Sequence, residues 1–75
     1  MDRRFLRKAR TRAGLHLDEL AAAAGLSFGR AYGIESGRLK LTAAAEAALR
    51  RGLARLIEQR QKVCGELLAQ LNVNP

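Results

Sequence analysis

The side chains able to do chemistry are few, and their types already narrow what that chemistry is. The chain of 75 residues holds one His, His16, and one Cys, Cys64. A structural metal site needs several Cys or His ligands, and a nucleophilic triad needs a His beside its nucleophile and a third group behind it. Neither constellation exists here, so no enzyme activity, no metal and no cofactor is expected. What the chain has in excess is cationic charge. Fourteen Lys and Arg stand against seven Asp and Glu, leaving a formal charge of +7. Clustered guanidinium groups are suited to binding polyanions.

That charge is unevenly placed. Arg3, Arg4, Arg7, Lys8, Arg10 and Arg12 crowd the first twelve residues, with Asp2 the lone acid. Arg30, Arg38 and Lys40 stand against Glu35 in residues 27–41, whereas Asp18 and Glu19 make residues 13–26 acidic. Folding that joined the first and third of these segments would create one basic face.

Such residues need a scaffold, and the composition specifies its class. Fourteen Ala and thirteen Leu make up most of the apolar set, while Ile, Val and Thr number six together. Strong helix formers without β-branched residues predict an all-α domain. One Cys excludes a disulfide framework, and no apolar run approaches the length of a membrane span. The Arg-rich start has no stretch long enough for a secretory signal. Transit peptides share its composition, but it runs on into the helical pattern of the domain. A lone Cys fits a reducing compartment, so a cytoplasmic location is expected.

Four elements follow from the punctuation. Asp2 is a suitable N-cap for a helix over residues 3–13, with Phe5, Leu6, Ala9 and Ala13 on its apolar face and Gly14 beyond its end. A second helix spans 17–24, with Asp18 and Glu19 in its first turn, where the helix dipole favours acids. Leu17, Leu20, Ala21 and Ala24 form its inner stripe, and Gly25 stops it. Ser27 caps a third helix over 28–35, with Ala31 and Ile34 inward and Gly37 at its end. Thr42 caps a long helical stretch to about residue 71.

Residues 15–37 therefore read as helix, glycine-containing turn, helix. Ala21 is small enough to let the two helices approach, Gly25 permits a positive φ, and Leu26 plugs the angle between them. This is the helix-turn-helix arrangement; the competing reading is an ordinary helical hairpin.

Residues 5–42 resemble the Cro/C1-type (Xre-like) helix-turn-helix family of bacterial and phage regulators. The residues that carry the likeness are "LRKAR" at 6–10, Gly14-Leu15, "DELA" at 18–21, "AGLS" at 24–27 and "GIESG" at 33–37. The resemblance covers about half of the chain. It implies a five-helix DNA-binding domain whose third helix enters the major groove, usually as a dimer on a palindrome. It also implies an ion pair between Arg10 and Glu35. On physical grounds too, Glu35 at a helix C-terminus opposes the dipole and requires a cation.

The chain departs from that family in three places. The family's second helix begins with Ser, Thr or Asn and then a phosphate-touching Gln; here His16 and Leu17 stand there. His16 caps the helix, meets a phosphate, or is a plain surface residue. The family's recognition helix is rich in polar readers, whereas this one is "SFGRAYGIES". Phe28, Gly29, Tyr32 and Gly33 are expected on the outward face. Phe28 is suited to a thymine methyl, and the two glycines would let the helix lie close to bases. The alternative is that Phe28 is core and the glycines only weaken the helix. Arg30, Arg38 and Lys40 are suited to phosphates. With Arg10, His16, Leu17 and Ser27 these residues make up the expected DNA-binding set.

The third departure is the C-terminal stretch, where the family has two short helices. Leu49, Leu53, Leu56, Val63 and Leu67 form a stripe, with Arg60 in the position its seven-residue gap skips; Ile57, Cys64 and Leu71 widen it. Gly52 and Gly65 are the points where the helix would break if it is two helices folding back. Read as one helix, it is too long to pack on three short ones, and these nine residues are assigned to a homodimer seam. Cys64 there reads as a small apolar residue and not as a redox switch.

The sequence thus divides into a helix-turn-helix domain over 1–56 and a dimerisation helix with a short tail over 57–75. The expected function is a sequence-specific regulator, a dimeric repressor of transcription whose partner is double-stranded DNA and which has no membrane role. The alternative is an antitoxin-like or accessory module whose C-terminal helix binds another protein.

Overall fold

A computed structural model describes residues 2–73. The helices are α1 (Arg3–Arg12), α2 (Leu17–Ala24), α3 (Phe28–Ser36) and α4 (Ala43–Val73), with no strand among the described residues. Three short helices followed by one long helix match the expected fold class. Asn74 and Pro75, the end of the expected tail, lie outside the described residues.

The local signals act where the sequence places them. Asp2 Oδ1 accepts from the Phe5 amide at 2.9 Å, Ser27 Oγ from the Arg30 amide at 3.2 Å, and Thr42 Oγ1 from the Ala45 amide at 3.1 Å. Each satisfies an otherwise unpaired amide in a first turn. Gly25 adopts φ +72° after α2. Its N–H donates to the Ala22 carbonyl and that of Leu26 to the Ala21 carbonyl, the paired bonds that close a helix through a left-handed residue. Gly14, at φ +71°, closes α1 in the same way.

The core lies where α4 crosses the short helices. Leu6, Leu15, Leu20, Ile34, Ala45, Leu49 and Leu53 are buried there, with Leu26, Leu56 and Ile57 packed against them. Two expectations change here. Phe5 is 55% exposed and not core, because its neighbour Leu6 takes the inward direction of α1. Leu49 and Leu53 are 4% and 6% exposed, so they belong to the monomer's own core and not to a seam between copies.

No break occurs at Gly52 or Gly65; α4 is one helix of 31 residues. At Gly52 the reason for the residue is contact. A Cβ there would stand 3.0 Å from the Ala24 nitrogen and 3.1 Å from the Ala23 carbonyl carbon, so the backbone of α2 rests directly on α4. The N-terminal half of α4 closes the core, and its C-terminal half projects beyond it, giving a molecule 52 Å long and 19 Å in each other dimension.

Candidate functional site

The site is built around α3. The Ala21–Leu26 turn holds it against α2, with Leu26 half-buried beneath. Ala31 and Ile34 point into the core, each 2% exposed. Helical geometry then turns Phe28 and Tyr32, one turn apart, outward. Both are 54% exposed, with rings stacked at a centroid distance of 6.2 Å and an interplanar angle of 22°. Phe28 is therefore surface and not core. Gly29 lies exposed between them with open space around it. Gly33 is different. It is buried, and a Cβ there would come within 2.7 Å of Leu39 Cδ1, so Gly33 admits the α3–α4 loop instead of facing outward.

The C-terminal end of α3 is held by Arg10. Its Nε donates to Glu35 Oε2 at 2.7 Å, its Nη2 to Glu35 Oε1 at 3.0 Å, and its Nη1 to the Leu15 carbonyl at 2.8 Å. Both side chains are 13% exposed. Arg10 is thus spent on structure, and the expected pair is present. Three of its five N–H donors are taken up in this way. Arg7 Nε approaches Glu35 at 4.0 Å and remains largely exposed.

The Arg3 guanidinium lies over Gly37, 3.0 Å from where a Cβ would stand, and Arg38 Nη2 comes within 3.4 Å of the same point at Gly33. Folding therefore joins the two basic segments at the end of α3. Arg30, Arg38 and Lys40 are all exposed. Arg3 was not among the expected contact residues. Its position at the very start of α1 gave no sign that it reaches the α3–α4 loop.

At the start of α2, His16 is exposed and fills the N-cap position, where its N–H donates to Glu19 Oε1 at 3.0 Å. That bond, together with Arg60, holds the Glu19 carboxyl below its ordinary pKa. Leu17 is half-buried, and its side chain lines a small interior void with Leu20 and Ile34, so that side chain packs inward. Ser27 is consumed as the α3 cap, which leaves its hydroxyl proton free to donate outward.

The expected seam divides in two. Leu49 and Leu53 are core, Leu56 and Ile57 are half-buried against it, and Val63, Cys64, Leu67 and Leu71 are exposed. Leu68, 58% exposed, belongs with the last group and was missed; its place beside Leu67 in a wide apolar arc was the available sign. Arg60 does not wait for a partner's acid, because its Nη2 meets Glu19 Oε2 of its own chain at 3.3 Å.

Among the described residues no group of His, Cys, Asp or Glu could hold a metal, and no helix is long and apolar enough to cross a membrane. No family model matches the chain, and no curated protein or solved structure matches it significantly.

Proposed function

We propose that this chain is a cytoplasmic, sequence-specific DNA-binding regulator of transcription, a dimeric repressor of the Cro/C1-type helix-turn-helix kind. In this reading α3 docks in the major groove. The observation that carries it is the outward face of α3: Phe28, Gly29 and Tyr32 exposed on a helix packed against α2 through a left-handed glycine turn. Arg3 of α1 and Arg38 of the α3–α4 loop come together at one end of that helix. The dimensions suit a groove about 12 Å wide, which admits one helix. Arg30, Arg38, Lys40 and Arg3 supply the sequence-independent part of the affinity through phosphates, while Gly29 permits close approach to base edges.

Selection of bound duplexes from a random library tests the reading. Emergence of one palindromic site supports it. Recovery of unselected sequence at low salt, with none enriched, would leave only non-specific polyanion binding and overturn sequence-specific regulation.

The second reading is an antitoxin-like or accessory module whose α4 binds another protein. What favours it is the exposed run of Val63, Leu67, Leu68 and Leu71, an apolar surface left uncovered by the described residues. Gel filtration of the pure protein separates the two. A monomer that does not shift duplex DNA at low salt supports the accessory module.

A further inference from the structure

Docking of α3 leaves unused an open groove between α1 and α4. It holds about 640 Å³, and Phe5, Ala9, Ala54 and Ile57 give it an apolar floor. Phe5 is more than half exposed there. Arg50 and Arg51 stand on the α4 wall. A second hollow continues from Phe5 and Ala9 along α1 and adds Lys8 and Arg12. All four cations are exposed. Among the described residues none of the four pairs with an acid, and no Asp or Glu lines either hollow. These are not the cations that reach α3. At about 100° per residue, Lys8 and Arg12 point at least about 140° around α1 from Arg3 and Arg10. The groove and the proposed DNA face therefore lie on different sides of α1.

We propose that this groove docks an amphipathic helix of another protein, one whose apolar stripe is flanked by Asp or Glu. The apolar floor calls for an apolar stripe, and unpaired cations on both walls call for carboxylates at its edges. A phosphate backbone would meet the cations but leave the floor uncovered. The floor runs about 15 Å along α4 from Ala47 to Ile57, about three helical turns. An extended segment laid there would leave its own amides and carbonyls unpaired, whereas a helix pairs them internally. The chain itself supplies no such segment. Past Ile57 it holds Glu58 and Glu66 against Arg60 and Lys62, so that stretch is neutral. The acids of α2, Asp18 and Glu19, belong to a helix already packed in the core through Leu20 and Ala21.

The probe is a fluorescent, end-capped peptide of about 15 residues, with Leu at i, i+4 and i+7 and Glu on both flanks. Anisotropy titration with the full chain should show saturable binding, and amide NMR shifts should centre on Phe5, Ala9, Ala54 and Ile57. A scrambled peptide of the same composition should bind roughly tenfold or more weakly. Arg50→Glu with Arg51→Glu should weaken the acidic peptide by roughly tenfold or more, and should bind the same peptide with Lys in place of Glu. Phe5→Ala should weaken binding and leave its salt dependence unchanged. Arg38→Ala, on the other basic face, should leave affinity unchanged. All these side chains are exposed, so far-UV circular dichroism should match the wild type throughout. Absence of binding overturns the proposal. Equal binding of the scrambled peptide does too, because mere attraction of anions to a cationic protein then suffices. Displacement of the peptide by duplex DNA would assign these cations to the polyanion instead. A wild-type dimer that Ala54→Glu converts to monomer would give the groove to a second copy, and either result overturns docking of an acidic helix.

Discussion

Arg10 and Glu35 meet in a fork-to-fork pair at 2.7 and 3.0 Å across twenty-five residues of sequence, and Arg10 spends its remaining nitrogen on the Leu15 carbonyl. One guanidinium thus ties together α1, the α1–α2 turn and the end of α3, the helix whose placement defines the site. Both side chains are largely buried, so the pair matters chiefly through the cost of breaking it.

Removing Glu35 strands a buried cation, at roughly 3–5 kcal/mol. Glu35→Ala should therefore lower the melting temperature by roughly 12 °C or more, while Glu58→Ala on the exposed back of α4 should change it little. The double variant Arg10→Met with Glu35→Leu should recover much of the loss, because no unpaired charge remains. Thermal denaturation of the wild type, of Arg10→Met and Glu35→Leu singly and of the double variant decides it; strictly additive effects would mean that the two residues do not act as a unit.

Gly52 and Gly65 offer a contrast within one helix. Each glycine costs about 1 kcal/mol of helix propensity relative to alanine. At Gly65 nothing lies within 4 Å of an added Cβ, so Gly65→Ala should strengthen the projecting half of α4 and raise helicity. At Gly52 the added carbon meets α2 backbone at 3.0–3.2 Å, and backbone beside the left-handed Gly25 does not yield easily. Overpacking of that kind costs about 1–3 kcal/mol, more than the propensity gained. Gly52→Ala should lower the melting temperature and Gly52→Val should lower it further. A Gly52→Ala protein as stable as Gly65→Ala would show that α2 moves aside.

This pair also marks how far the sequence could be read. Helix ends were legible because caps are local: Asp2, Ser27 and Thr42 each satisfy an amide three residues on, and Gly14, Gly25 and Gly37 each take positive φ. The inward face of α3 was legible from Ala31 and Ile34. Long-range features were not. Periodicity shows that α4 carries an apolar stripe, but not where α1–α3 stop covering it, so Leu49 and Leu53 could not be told from Val63 and Leu67. Gly33 read as an outward position and Gly52 as a weak point because the atoms that need the space, in Leu39 and in α2, lie outside the local pattern. The Arg60–Glu19 pair spans forty-one residues and leaves no local trace.

Glu19 supplies a pH dependence of known sign. Its carboxyl is held below the ordinary value first by the His16 N–H and then by Arg60. A carboxyl with a lowered folded-state pKa contributes stability that is present above the unfolded value and lost as pH falls through the folded one. Glu19 should therefore titrate below 4.5 when followed by carboxyl-carbon NMR. Arg60→Ala should raise that midpoint only in part, because the larger cause, the His16 N–H, is untouched. A full return to the ordinary value would assign the whole effect to Arg60.

Duplex binding, if α3 docks as proposed, should separate into two kinds of contact. Arg38 and Lys40 are exposed on the loop after α3 and are suited to phosphates, which carry charge but no sequence. Each neutralised phosphate releases condensed counterions, so the logarithm of affinity falls linearly with the logarithm of salt, by about 0.9 per contact. Arg38→Ala and Lys40→Ala should each weaken all sequences alike and reduce that slope by about 1. Phe28 differs in kind. Its exposed ring, stacked on Tyr32, offers no hydrogen bond, and in the major groove the matching feature is the thymine methyl. Phe28→Ala should leave the salt slope unchanged and reduce the preference between selected and random duplexes. Replacing thymine by uracil at the contacted position should cost the wild type affinity and cost Phe28→Ala nothing. Titrations at several salt concentrations, with both duplexes, test this directly. If Phe28→Ala changed the salt slope while preference stayed fixed, the ring would be supporting the fold of α3 and not touching a base.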